Sequence, residues 1–366
     1  MMIDTLVISG GGIGGGIAIA GSLDYLRQND LLKDVRRYCC TSIGAMISSL
    51  LIIGYTVDEI YNIFVNDLKS FIDLKIYKIP LNIYRNYGLF SNDKVIDTIS
   101  TYYEKKGFSK DITLKELYDK TNKIITICGT NLNKQDVYYF NYSTFPDMKV
   151  LDAVRITITI PFFYKCVKYN INNKENIFVD GGLLNNFPLY YYDICDSSDK
   201  YFTTYSETMD TYINMCKDET YYKLLSQHKK SGTIGITIKT QELDNNGFFT
   251  GFLKISNIIN FTSSIIQTYL TKITSINFIN QLTGGNNLKK YIISIYIKNQ
   301  TSLLNFFLSK QEISTLYKNG QDTAKDVANT IMCDLYNEKE TKNETKSETE
   351  SQINMYDNLV QDCNII

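Results

Sequence analysis

The 366-residue chain contains one histidine, His228, and no tryptophan. A single histidine excludes metal centres built on several imidazoles. It also makes any histidine-based mechanism depend on that one side chain. Eight cysteines are present but no C-x-x-C pair, so neither a zinc ribbon nor a thioredoxin-type site is expected. Cys39 and Cys40 are adjacent, and neighbours are poorly placed to bridge each other. The cysteines therefore read as reduced thiols of an intracellular protein. The start of the chain lacks a charged n-region and a signal peptide. No stretch reaches about 18 charge-free apolar residues, so no spanning helix is expected. Charge of one sign is missing too: 38 basic against 39 acidic residues leave a formal net charge of -1. Without a basic excess, nucleic acid is not an expected partner. No internal repeat is found.

Strand–turn–helix units fill the N-terminal part. Residues 3–8 read as a short buried strand and residues 17–28 as a helix. A second strand is expected over 34–40, followed by an apolar helix from Thr41 to Ile53 that Gly54 ends. Residues 57–120 read as mainly helical, with 71–90 unassigned. Further strands are expected over 123–128, 137–141, 177–179, 233–238 and 291–297, and helices over 151–159 and 309–335. Residues 248–282 carry an amphipathic helical period. The alternation of strands and helices predicts an α/β layered sheet. Residues 336–352 are charged and almost free of apolar side chains. They read as a disordered linker between a domain spanning 1–335 and a tail spanning 353–366.

Three places carry residues suited to chemistry. Between the first strand and helix, Gly10 to Gly16 holds six glycines in seven positions. Such a turn lets backbone N–H groups face a phosphate or a developing oxyanion at a helix N-terminus. Gly10-x-Gly12-x-x-Gly15 also matches the dinucleotide fingerprint, but the second strand ends in Cys39-Cys40-Thr41-Ser42 without the acidic residue that would hold a ribose. The same glycines also fit a tight structural turn. The second place is Cys40-Thr41-Ser42-Ile43-Gly44, which fits a G-x-S-x-G nucleophile elbow with cysteine at the first position. Thr41-Ser42 equally fits an ordinary helix N-cap. The third is Asp180-Gly181-Gly182 at a strand end, followed by Asn185-Asn186-Phe187-Pro188; an Asp-Gly turn alone is common.

In this order the three motifs resemble the patatin-like phospholipase family. Cys128-Gly129-Thr130-Asn131-Leu132 is similar to its central strand. Residues 153–163, from Ala153 to Phe163, are similar to its A-x-R-A-S-x-A-I-P segment, with Ile156-Thr157 at the Ala-Ser positions. The resemblance is good over about residues 3–195 and only general over 230–335. Two positions depart from the pattern: Gly14 stands where the family usually has Arg or Lys, and Cys40 replaces the first glycine of the elbow.

The resemblance implies a three-layer α/β/α sandwich with a mainly parallel central sheet. It implies a lipid acyl hydrolase, phospholipase A-like, with a catalytic Ser42–Asp180 dyad and an acyl-enzyme intermediate. Gly11 and Gly12, joined by Ile43, would form the oxyanion hole. Gly10, Gly15, Gly44, Gly181 and Gly182 would support it. No metal or other cofactor is required. The implied partner is a lipid substrate, met at a membrane surface. Phe162-Phe163, Phe248-Phe249 and the stretch to Leu282 are candidates for an apolar wall or a membrane contact. The loop Asp244-Asn245-Asn246-Gly247 lacks the EF-hand spacing. His228, in a polar helix end, is read as solvated. A second enzyme reading keeps the same site but acts on neutral glycerides or lysolipids. A decayed, lipid-binding scaffold is the alternative from another class, and a dinucleotide-binding oxidoreductase the remote one.

Overall fold

The computed structural model describes residues 2–67, 71, 79–216, 231–240, 290–297 and 307–362. The expected elements at 248–282, His228 and the loop 244–247 lie outside these residues. Ten strands and ten helices are described, β1 and α1 being Met2–Ile8 and Gly12–Gln28. Next come β2 (Arg37–Cys40), α2 (Ile43–Ile52), α3 (Val57–Asp67), α4 (Ile79–Asn86), β3 (Gly88–Phe90), α5 (Asp93–Lys105) and α6 (Leu114–Thr121). They are followed by β4 (Ile124–Asn131), β5 (Asp136–Phe140), α7 (Val150–Thr157), β6 (Phe162–Tyr164), β7 (Val167–Ile171) and β8 (Lys174–Asp180). The last are α8 (Tyr191–Ser198), α9 (Tyr205–Cys216), β9 (Ser231–Thr240), β10 (Lys290–Ile297) and α10 (Lys310–Asp362).

Eight strands form one sheet in the order β10-β9-β1-β2-β4-β8-β7, with β5 also paired to β4. The five from β10 to β4 are mutually parallel, whereas β5, β7 and β8 join antiparallel. The sheet is thus mainly parallel, as expected. Side chains alternate across it. Leu6, Ile8 and Cys40 face a large core that includes α1 and α2, while Val7, Cys39 and Cys128 face a second core with Tyr191, Tyr192 and Ile194 of α8. Apolar side chains on both faces explain why Leu6-Val7-Ile8 at the end of β1 is unbroken by polar residues.

The helix α10 crosses α1 at very close range. A Cβ added at Gly21 would lie 1.9 Å from the Tyr317 carbonyl oxygen, and one at Gly320 would lie 1.8 Å from that of Ala18. Ser22 Oγ donates to the Gly320 carbonyl at 2.8 Å. These glycines let two helix backbones touch, and Ala324, Ala328 and Ile331 continue the buried seam.

The segment 336–352, expected as a linker, lies within the span of α10. Glu and Lys are good helix formers, and the segment has neither glycine nor proline. Among the described residues no helix is long and apolar enough to cross a membrane.

Strand register sets the site. Ile8 pairs with Cys40, and Cys40 with Ile127. The turns after β1 and β2 therefore emerge side by side at the carboxyl edge of the parallel strands, where α/β sheets place their ligands. The antiparallel strand β8 brings Asp180 opposite Gly129 on that same edge.

Candidate active site

Ser42 stands between β2 and α2 with φ 52° and ψ -125°. A side chain rarely adopts this backbone, and it costs about 1–3 kcal/mol. The sharp turn is possible because the next position but one is glycine. A Cβ at Gly44 would lie 2.6 Å from the Ile8 carbonyl oxygen and 2.7 Å from that of Ser9. Cys40 does not obstruct the elbow. Its side chain is wholly buried, and Sγ reaches the Thr126 carbonyl at 3.4 Å. The first elbow position is still strand here, so a small side chain has a place inside the large core.

Ser42 Oγ donates to Asp180 Oδ2 at 2.6 Å, and both residues are buried. The other carboxylate oxygen, Oδ1, accepts from the Gly182 amide at 2.7 Å. Burial drives the Asp180 carboxyl upward, from its ordinary 3.8 to about 7, against the opposing pull of the Ser42 and Gly182 hydrogen bonds. Thus Asp180 is a carboxylate that can take a proton near neutral pH, hydrogen-bonded to a hydroxyl on a strained turn. That is the arrangement of a base and an oxygen nucleophile.

The glycine-rich turn borders this pair. Gly10 lies against it: an added Cβ would meet Ser42 Cβ at 3.1 Å and Asn186 Oδ1 at 2.3 Å. Asn186 grips the Gly10 peptide at both ends, Oδ1 accepting from its N–H at 3.1 Å and Nδ2 donating to its carbonyl at 3.3 Å. Gly11 caps α1 and Gly12, at φ 59°, begins it; Ile43 begins α2. The sites of Gly11 and Gly15 are pressed by the Ile238 side chain, at 2.6 and 3.0 Å from their added Cβ positions. Close protein packing therefore accounts for glycine at positions 10, 11 and 15. Gly14, at the family's basic position, is buried in the first turn of α1.

Gly181 and Gly182 form a short 3-10 turn after Asp180. At Gly181 a Cβ would strike the Cys128 carbonyl oxygen at 2.3 Å. The Asn185 amide donates to the Gly181 carbonyl, and the Asn185 carbonyl accepts from Thr41 Oγ1 at 3.1 Å. One short loop thus ties the Asp180 turn, the Ser42 turn and the glycine-rich turn together.

Several residues at this site carried no role in the sequence. Besides Asn186 they are Thr157, Thr159, Arg155 and Asn92. Thr157 Oγ1 accepts from the Ser42 amide at 2.8 Å, and the Thr159 carbonyl accepts from the Asp180 amide at 2.7 Å. Asn92 Nδ2 donates to Thr159 Oγ1 at 2.8 Å and Arg155 Nη1 to Asn92 Oδ1 at 3.1 Å. The available signals were that Arg155, Thr157 and Thr159 fall inside the family-like segment and Asn186 inside the run that follows Asp180-Gly181-Gly182. The Phe162-Phe163 pair is split: Phe163 is buried against Phe90, and Phe162 is 62% exposed. Among the described residues no group of three or more His, Cys, Asp or Glu could hold a metal ion.

A family model described as Patatin-like phospholipase matches residues 6–192, just over half of the chain. "Probable lipid hydrolase 463L" of Invertebrate iridescent virus 6 is 34% identical over 188 residues, which are 50% of this chain and 61% of that protein. The match thus spans less than two thirds of that relative's length. "Uncharacterized protein R571" of Acanthamoeba polyphaga mimivirus is 26% identical over 328 residues, covering 88% of this chain and 93% of the other. Among solved structures, VipD from Legionella pneumophila aligns with a TM-score of 0.45 at 14% identity, over 90% of this chain and 67% of that one.

Proposed function

The chain belongs to the patatin-like phospholipase family, and on that premise we propose that it is a lipid acyl hydrolase that cleaves carboxylic esters through Ser42 and Asp180. The observation that carries the reading is the 2.6 Å hydrogen bond from Ser42 Oγ to the buried Asp180 carboxylate. A serine hydroxyl is a weak nucleophile until a base takes its proton. Asp180, its basicity raised by burial, accepts that proton as Oγ attacks the ester carbonyl. The tetrahedral intermediate then collapses, the alcohol leaves with the proton, and an acyl-Ser42 ester remains. Asp180 next takes a proton from water, whose oxygen attacks the acyl carbon. The fatty acid is released and the proton returns to Ser42.

The oxyanion of each tetrahedral step faces the amides of Gly11, Gly12 and Ile43. What supports this assignment is that the first two open α1 and the third opens α2, so two helix N-termini border the nucleophile. One such donor is typically worth about 2.7–4 kcal/mol in the transition state. Neither metal nor organic cofactor enters the scheme. The substrate is an ester of a long-chain fatty acid presented at a membrane surface. The exposed Phe162, three residues beyond Thr159, supports contact with lipid there.

The test is fatty-acid release from mixed phospholipid vesicles with a chelator present, comparing wild type with Ser42→Ala. Release by wild type alone is expected. Equal release by both proteins would overturn the serine mechanism. Release abolished by the chelator would overturn the metal-free scheme.

A further inference from the structure

Both members of the dyad are held by their backbone amides, and by the same short segment. Ser42 N–H donates to Thr157 Oγ1 at 2.8 Å, and Asp180 N–H donates to the Thr159 carbonyl at 2.7 Å. Thr157 is the last residue of α7, and both threonines are wholly buried. The segment is braced in turn: Thr159 Oγ1 donates to the Arg155 carbonyl at 2.6 Å and accepts from Asn92 Nδ2. The Asp180 carbonyl is held from the other side by Thr130 Oγ1 at 3.0 Å.

Ser42 gains most from such a grip. Its positive φ is unfavourable, so the turn relaxes unless neighbours hold it. Rotation of its peptide would swing Oγ away from Asp180 Oδ2. The Gly44 contact holds the turn from the helix side, and the Thr157 hydroxyl holds the amide from the other. We infer that Thr157 is a positioning residue for the nucleophile: its hydroxyl anchors the Ser42 amide and so holds Oγ within reach of Asp180. The inference rests on the serine–aspartate reading above. It adds that the hydroxyl, and not the packing of Thr157, is what the reaction needs.

Thr157→Val is close in shape but leaves the buried Ser42 N–H without its acceptor. Thr157→Ser keeps the oxygen and loses only a methyl group. Each variant is tested with an alkyl fluorophosphonate, which transfers its phosphonyl group to an activated serine and releases fluoride. The rate of Ser42 labelling is read beside the thermal midpoint, and kcat and KM are measured on a soluble short-chain ester. For Thr157→Val we expect labelling and kcat to fall by about 10- to 100-fold with KM little changed. Thr157→Ser should stay within about threefold of wild type. Thr157→Ala, which lacks the branched side chain, should show the same loss as valine and serves in its place if valine does not fold.

Wild-type rates in the hydroxyl-free variants would overturn the inference. Equal losses in Thr157→Ser and Thr157→Val would also overturn it, by assigning Thr157 to packing. A wild-type chain that resists labelling would remove the dyad reading and this role with it. That failure is recognisable because it appears without any substitution at 157.

Discussion

Ser42 Oγ and Asp180 Oδ2 meet at 2.6 Å although 138 residues separate them in the chain. The contact is buried, and the Gly182 amide joins it at the other carboxylate oxygen. It leads directly to a first expectation. Ser42→Ala and Asp180→Asn should each lower ester hydrolysis by at least about a thousandfold, as losses of groups acting as a unit do. Both should keep the wild-type circular dichroism spectrum. His228→Ala should retain most activity; complete loss in that variant would overturn the two-residue scheme.

The raised proton affinity of Asp180 gives opposite pH trends for rate and stability. The base must be ionised, so kcat/KM should rise as pH rises through about 7 and then level off. Stability runs the other way. Between the unfolded value near 3.8 and the folded value near 7 the native state binds the extra proton, so unfolding free energy falls with pH across that window and flattens above it. The spread corresponds to about 4 kcal/mol. Asp180→Asn, which never ionises, should therefore be inactive yet at least as resistant to urea as wild type at pH 8. A variant clearly less stable than wild type there would contradict the burial argument.

Gly44→Ala tests the elbow itself. The added methyl would meet two backbone oxygens, of Ile8 and Ser9, neither of which can turn aside as a side chain end can. A loss of about 1–3 kcal/mol is expected from overpacking. Activity should fall more than stability does, because the same displacement moves Ser42. Urea titration beside kcat measures the two effects.

Gly320→Ala probes a different place, the crossing of α10 over α1. Its methyl would be driven into the Ala18 carbonyl, 1.8 Å away. The helices must separate, which opens the seam of Ala324, Ala328 and Ile331. A lower thermal midpoint is expected, with KM for a soluble ester unchanged in the folded fraction, since the crossing lies away from Ser42. A wild-type midpoint would show that the helices do not touch at these glycines.

Much of the site was legible in the chain because its signals are local. A glycine run between strand and helix, a serine two residues before a glycine, and Asp-Gly-Gly after a strand each report a turn that only certain residues tolerate. The strands β1, β4, β9 and β10 were visible as apolar runs bounded by turn residues. Element ends were less visible: β8 begins at Lys174, three residues before the apolar stretch that announced it. The small pair β3 and β6 was not foreseen, since three residues carry too little pattern.

The amino-acid sequence alone determined which residues carry the proposed chemistry and which turns present them. Tertiary structure decided what those residues touch. The antiparallel entry of β8 beside β4 put Asp180 opposite Gly129. The end of α7 put a hydroxyl on the Ser42 amide. The fate of Cys40, the split of Phe162 from Phe163 and the meeting of Gly21 with α10 were settled in the same way. The physical reason is common to all. Turn chemistry depends on the few residues that make the turn, whereas a hydrogen bond across more than 100 positions depends on sheet register and helix packing, which the whole core sets together.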